Sequence, residues 1–209
     1  MGDKLYMSKE EVKVFLDKIP SLKVRKLTHE HIRVLFLVLL TGAMRISEVL
    51  NLTPEDILTN NKVRLVSTKG GWERCHCAVW KFRPLKLESV DKTCPDCIGE
   101  GKYRISVEAW IQDYVFDDLK QLANQTKQGQ RIFPITRRQA LNYANELMGV
   151  RTHTFRHTWL TWMLESGKMD IRDMKQKARH KNIQTTMTYI EDNKDYTRKK
   201  EDEVMGDFL

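Results

Sequence analysis

The sequence predicts an α+β fold, mainly α-helical, with a small antiparallel sheet and a cysteine-rich insertion. Three observations carry that expectation. Apolar residues recur at helical spacing along most of the chain, as at Ile32, Leu35, Phe36 and Leu39. Residues 62–68 and 102–107 alternate instead, as strands do. All four cysteines, Cys75, Cys77, Cys94 and Cys97, crowd into one short segment, where a reducing compartment favours metal binding over disulfides. A chain of 209 residues can bury a sizeable core as one domain with an insertion.

Taken in order, Ser8-Lys9-Glu10-Glu11 fits a capping box ahead of an amphipathic helix bearing Val12, Phe15 and Leu16. Turn-like residues follow from 20 to 26. A core helix is expected over about 28–40, with His29 and His31 as surface residues near its start. Gly42 breaks it, and Ser47 or the turn before it starts another helix, after which Leu50 and Leu52 return to the core. Residues 54–56 turn into the first strand, and Lys69-Gly70-Gly71 reads as a hairpin turn. Residues 75–101 then look like an excursion before the strand pattern resumes at 102. A helix is expected from 108 to about 125, with Trp110, Tyr114 and Leu119 or Leu122 facing inward. Thr136 caps the next helix, to about Met148. Residues 153–164 form a further one, packed through Phe155, Leu160, Trp162 and Met163, with Trp159 also in the core. Asp170 caps a helix through Ala178, and 185–189 forms a short last one.

The formal net charge is +8, but residues 190–209 hold seven acids and four bases, which leaves +11 on the body. A basic body with a separate acidic tail suits a polyanionic partner such as DNA. The longest apolar run, Val34 to Leu40, is too short to span a bilayer, and the N-terminus shows no secretion signal. A cytoplasmic, nucleoid-associated chain without a membrane partner is the expectation.

The chemistry concentrates near the end. His153 and Arg156 are three apart and share a helix face, while His180 and Tyr189 are nine apart. A cation, two imidazoles and a phenol suit work at a phosphodiester: hold the anion, shuttle a proton, attack with an oxygen. Arg45 stands at a helix junction three residues before Glu48. The pair reads either as a surface ion pair or as an arginine steadied by a carboxylate so that its fork meets phosphate oxygens. Arg137 and Arg138, at the start of a helix, are placed to meet DNA phosphates.

The stretches TGAMRISEVLNL, VRLVSTKGG, HTFRHTWLTWML and ARHKNIQTTMTYI, in that order, resemble the catalytic domain of the tyrosine recombinases, the phage integrase family. The resemblance covers most of residues 8–190 except the cysteine insertion. It implies the family's catalytic-domain fold over 1–190 and the insertion at 75–101, with an acidic tail at 191–209 that either docks on a neighbouring protomer, as such tails do in the family, or is a disordered solvating segment. It implies that Tyr189 attacks the scissile phosphate to form a 3′-phosphotyrosyl link. Arg45 and Arg156 would bracket the phosphate oxygens, and Lys69 would protonate the leaving 5′-oxygen, with Lys81 and Lys102 as rivals. His153 would assist proton transfer, His180 would bond the phosphate, and Glu48 and His157 would support the site. Tyr196 is the fallback nucleophile. The implied function is site-specific DNA cleavage and rejoining by a dimer or tetramer on double-stranded DNA, with no cofactor for catalysis. A type IB topoisomerase and a non-catalytic zinc-containing DNA-binding regulator are the rivals.

The sequence departs from the family pattern in places. One extra residue separates Gly42 from Arg45, and the family's usual N-terminal DNA-clamping domain is missing from the stretch, as in a minimal member or a catalytic fragment. Arg179 stands where a glycine usually precedes the histidine, which predicts local strain if the position takes a positive φ. His157, four after His153, would complete a metal pair only with a glutamate beside the first histidine, and Thr154 stands there.

The insertion pairs Cys75-His76-Cys77 with Cys94-Pro95-Asp96-Cys97 and resembles a zinc ribbon or knuckle. Four thiolates would close a structural zinc site, with His76 as a substitute for Cys75 or Cys77. Its expected task is to stiffen the Lys69 hairpin, with Arg74, Lys81, Arg83 and Lys86 adding DNA contacts.

Overall fold

The computed structural model describes residues 5–66, 72–82, 85–94, 102–104, 106–167 and 169–180, with positions 100, 182 and 184. Helix α1 (Lys9–Lys18) opens with the expected capping box. Ser8 Oγ accepts from the Glu11 N–H at 3.2 Å, and Glu11 Oε2 accepts from the Ser8 N–H at 2.9 Å. It buries Val12 and Phe15. Helix α2 (His29–Thr41), capped by Thr28, is buried continuously from Val34 to Thr41, as its nearly all-round apolar sequence requires. Its two histidines are half-buried rather than at the surface. His29 Nε2 lies 3.0 Å from the Leu22 carbonyl and His31 Nδ1 lies 2.7 Å from Thr28 Oγ1.

Helix α3 (Ile46–Val49) begins directly after Arg45. The turn before it depends on Gly42, where an added Cβ would lie 2.8 Å from the Val38 carbonyl oxygen. Three later helices complete the frame: α4 (Asp113–Gln125), α5 (Arg137–Met148) and α6 (Thr152–Glu165). Phe15, Phe36 and Phe155 pack as a ring trio with centroids 4.8–4.9 Å apart, which fixes α1, α2 and α6 against one another. Phe155 therefore anchors the turn of α6 that carries the next residue, Arg156. The last described helix, α7 (Ile171–Ala178), is capped by Asp170 as expected, and its Met174 and Ala178 are buried.

The described strands form three separate two-stranded antiparallel sheets. Strand β1 (Lys62–Val66) pairs with β6 (Ser106–Trp110), β2 (Trp72–Arg74) with β5 (Lys102–Arg104), and β3 (Ala78–Phe82) with β4 (Leu85–Val90). Strands β2 to β5 thus lie between β1 and β6 in the chain, and positions 83, 84, 95–99 and 101 of the expected excursion lie outside the described residues. Strand β2 pairs with β5 and not with β1, and the turn expected at Lys69-Gly70-Gly71 lies outside the described residues.

The helix expected from 108 is also corrected. Residues 106–110 are strand, and α4 starts only after Gln112. Trp110 and Tyr114 are 54% and 61% exposed rather than inward, while Leu119 and Leu122 are buried. The ladder to β1 decides this: Trp110 stands opposite Lys62, whose ammonium lies 5.1 Å from the indole centroid. Ala109 and Ile111, two apart and both buried, carry the strand period.

Candidate active site

Two chain segments meet to build the site. The first is the α2–α3 junction, where Ala43 takes a left-handed φ of 46° and Arg45 precedes α3. Glu48, 5% exposed, reaches back to this turn. Its Oε2 accepts from the Arg45 N–H at 2.8 Å and its Oε1 from Arg45 Nη1 at 2.9 Å. The pair is therefore no loose surface contact, because one carboxylate holds both the backbone and the guanidinium of Arg45.

The second segment is α6 with the end of α7. Arg156 is only 1% exposed. Its Nη1 donates to the Ala43 carbonyl at 2.6 Å and its Nη2 to the Ala178 carbonyl. One guanidinium thus pins the Arg45 turn to the C-terminus of α7. Helix α7 ends in a Schellman-type closure, with Arg179 N–H donating to Gln176 O and His180 N–H to Lys175 O, both at 3.0 Å. The closure needs a left-handed residue, and Arg179 supplies it at φ 54° where glycine is the unstrained choice. The strain expected from the sequence is present.

That closure sets His180 beside the arginines. Burial, then the charges of Arg156, Arg45, His153 and Arg179, push its pKa down to about 4. It is a neutral imidazole at neutral pH, able to donate one N–H to a phosphate oxygen. Between the unfolded pKa of 6.5 and the folded value of about 4 the unfolded chain binds the proton first, so stability falls as pH drops through that window. An NMR titration of His180 should show the ring still mostly neutral at pH 5. A midpoint near 6.5 would contradict this assignment.

His153 is exposed on the same face of α6, with the buried-side His157 ring edge-on to it at a centroid distance of 4.5 Å. Burial, then Arg156, lowers the His157 pKa and favours its neutral ring. Arg137 and Arg138 are exposed on the first turn of α5. Lys69, Tyr189, Tyr196, Arg83, Cys97 and the tail lie outside the described residues, as does the expected helix over 185–189. For Arg74, Lys81 and Lys86 only the backbone is described, in β2, β3 and β4. Lys102 is exposed in β5.

The fold also brings here two side chains whose role is not legible from sequence. Arg179 Nη2 donates to Glu48 Oε2 at 2.9 Å. Lys177 Nζ donates to the Trp110 carbonyl at 2.7 Å and lies 5.4 Å from the Trp159 ring centroid, tying α7 to β6. Burial, then Arg179, lowers the Lys177 pKa to about 8. An open groove of 490 Å³ lined by Arg172, Lys175, Gln176, Arg179 and His180 adds basic surface beside the site. Charge counting detects that surplus but not its location.

At the insertion, the backbone bonds Ala78 N–H to Cys75 O, Asp91 N–H to Cys77 O and Cys94 N–H to Asp91 O close the base of the β3–β4 hairpin. They bring Cys75, Cys77 and Cys94 together, with all sulfurs within 4.8 Å of one another. The buried Cys75 and Cys94 sulfurs lie 3.6 Å apart. A disulfide needs about 2.05 Å. Thiolates about 2.3 Å from one tetrahedral ion stand roughly 3.8 Å apart, which this spacing fits. The three cysteines can therefore bind a metal.

Residues 6–195 match the Phage integrase family. The chain belongs to that family, the tyrosine recombinases. It is 25% identical over 201 residues to the tyrosine recombinase XerA of Thermococcus onnurineus, covering 95% of this chain and 62% of that protein. It is 27% identical over 157 residues to a probable integrase/recombinase of Acholeplasma phage L2, covering 75% and 47%. The chain thus spans about half to three-fifths of the length of these curated relatives. A crystal structure of XerA recombinase superposes with a TM-score of 0.62 at 16% identity, covering 95% of this chain and 64% of that one. The catalytic domain of bacteriophage HP1 integrase superposes at 0.58 and 18%, covering 90% and 88%. A XerH recombinase bound to its difH substrate superposes at 0.58 and 15%, covering 90% and 50%. These likenesses establish a mainly helical fold with small antiparallel sheets as that of the tyrosine recombinase catalytic domain. Among the described residues no helix is long and apolar enough to cross a membrane.

Proposed function

We propose that this chain cleaves and rejoins double-stranded DNA at a specific site through a 3′-phosphotyrosyl intermediate. The observation that carries the reading is the convergence of Arg45, Arg156 and the neutral His180 from two distant segments, with His153 on the adjoining helix face. In this assignment Arg45 and Arg156 neutralise the non-bridging oxygens as charge builds in the transition state. His180 donates its N–H to one of them. His153 moves the proton of the attacking phenol, Tyr189, and Lys69 delivers a proton to the leaving 5′-oxygen. The phosphodiester energy stays in the phosphotyrosyl bond, so rejoining needs no nucleotide or catalytic metal. Arg137, Arg138, Arg74, Lys81 and Arg83 contact the DNA backbone. Residues 1–190 act as the catalytic domain, and 191–209 join protomers into a dimer or tetramer on DNA.

The test is a nicked suicide duplex that traps covalent protein–DNA adduct. Adduct from the wild type, mapped to Tyr189 and lost in Tyr189→Phe but kept in Tyr196→Phe, supports the reading. Specific binding with no adduct points to a DNA-binding regulator instead, and site-independent relaxation of supercoils by single protomers to a type IB topoisomerase.

The cysteine cluster is proposed to hold one structural zinc, with Cys97 as fourth ligand beside Cys75, Cys77 and Cys94. The ion would cross-link the base of the β3–β4 hairpin and stiffen the ribbon leading to Lys69. Purified protein should carry one zinc per chain by elemental analysis, lost in Cys75→Ser and Cys94→Ser. Removing it should raise hydrogen exchange in 72–104 while the helices stay protected. Metal-free protein with an equally protected ribbon would sink the assignment.

A further inference from the structure

We infer that Arg179 is a positioning residue of the cleavage site. It closes a second guanidinium onto Glu48 and thereby fixes how Arg45 presents its own guanidinium to the scissile phosphate. The inference rests on the proposed strand-cleavage reading.

The backbone poses the question. The Schellman-type end of α7 demands a left-handed residue, and every side chain beyond glycine is strained there. A large cation at such a position must contribute through its side chain. That side chain runs inward, at 13% exposure, and does three things. Its Nη2 donates to Glu48 Oε2 at 2.9 Å and approaches the Ala43 carbonyl at 3.3 Å, while its Nη1 donates to the Lys177 carbonyl at 3.1 Å.

Glu48 is therefore gripped from both sides. Its Oε2 is shared between the Arg45 N–H and Arg179, and its Oε1 is left for Arg45 Nη1. Without Arg179, the carboxylate keeps only partners from its own turn and is held less firmly. The Ala43 carbonyl also receives Arg156, so Arg179 adds a second tie between the α2–α3 junction and the end of α7. Since His180 follows Arg179 directly, the same tie sets the spacing between His180 and Arg45. In this assignment Arg179 acts through Glu48 and Arg45, the two residues its Nη2 is linked to by the shared carboxylate.

The experiment measures single-turnover adduct formation on the nicked suicide duplex, DNA affinity and melting temperature. The proteins are wild type, Arg179→Gly, Arg179→Lys, Glu48→Gln and the Arg179→Gly/Glu48→Gln double variant. Arg179→Gly removes the backbone strain along with the ion pair, so its melting temperature should stay within a few degrees of wild type. Its DNA affinity should change less than about threefold while cleavage slows by about 10- to 100-fold, the usual cost of losing a group that orients a functional ligand. Arg179→Lys should recover part of the rate. In the Glu48→Gln background the glycine change should cost less than about threefold, because both act on one element. Wild-type cleavage by Arg179→Gly, an undiminished effect in the Glu48→Gln background, or a slowing that simply tracks a lost melting temperature each overturns the inference. Absence of adduct from the wild type would instead overturn the cleavage reading itself, and this inference with it.

Discussion

Arg156→Lys is expected to remove cleavage almost completely and to weaken the fold at the same time. The guanidinium is a buried bridge, giving one N–H to the Ala43 carbonyl and another to the Ala178 carbonyl, and these belong to different elements. A lysine ammonium is a point donor on a flexible stem and does not reproduce that fork. At least one of the two carbonyls loses its cation. An unsatisfied buried polar group costs about 1–3 kcal/mol, and a misplaced buried charge adds to it, so a loss of about 2–4 kcal/mol is expected in urea unfolding.

The rate effect adds a second loss. Removing one pre-organised transition-state donor costs about 10²–10³-fold, and Arg156 also sets the Ala43 turn on which Arg45 depends. Single-turnover adduct formation at saturating DNA should therefore fall by at least about 10³-fold. A variant that cleaved within threefold of wild type would show that the buried fork has no catalytic consequence.

The fold was legible in the sequence wherever local rules decide. Ser8, Thr136 and Asp170 cap helices as their identities dictate, and the α2 pattern can only be a core helix. The failure at residues 108–112 has a plain cause. Trp110 and Tyr114 fit a helical stripe by spacing, but the ladder to β1 takes Trp110 and leaves both rings exposed. Periodicity cannot see a partner strand more than forty residues away.

The same limit applies at the site. The pairing of Arg45 with Glu48 is visible because the residues are three apart on one turn. Arg179 with Glu48 is not, because 131 positions separate them. Its sequence signal was a residue that departs from the expected glycine, which flagged backbone strain without showing what the side chain gains. The neutrality of His180 also lies in three dimensions, since burial and the guanidiniums together depress its pKa.

Glu48→Gln is the change in which these strands meet, and its signature is in pH as well as in rate. Burial by itself would raise the Glu48 pKa, but Arg179, the Arg45 N–H and the Arg45 guanidinium outweigh it and hold the carboxyl below its ordinary value of 4.5. A depressed folded pKa means that Glu48 contributes stability above the unfolded value, lost as pH falls through the folded one. Glutamine keeps the shape and one acceptor but leaves Arg45 and Arg179 facing each other without the intervening charge. Unfolding at pH 7 should show a loss of about 3 kcal/mol, the scale of breaking a buried ion pair from one side. The gap between wild type and variant should narrow once pH drops below 4.5. The His180 contribution is common to both proteins and cancels in this difference. Cleavage at pH 7 should slow by about 10- to 100-fold with DNA affinity little changed, because Glu48 orients an arginine and touches no phosphate. A stability gap that stayed constant from pH 7 to pH 3 would mean that the carboxylate charge is not what holds the two arginines in place.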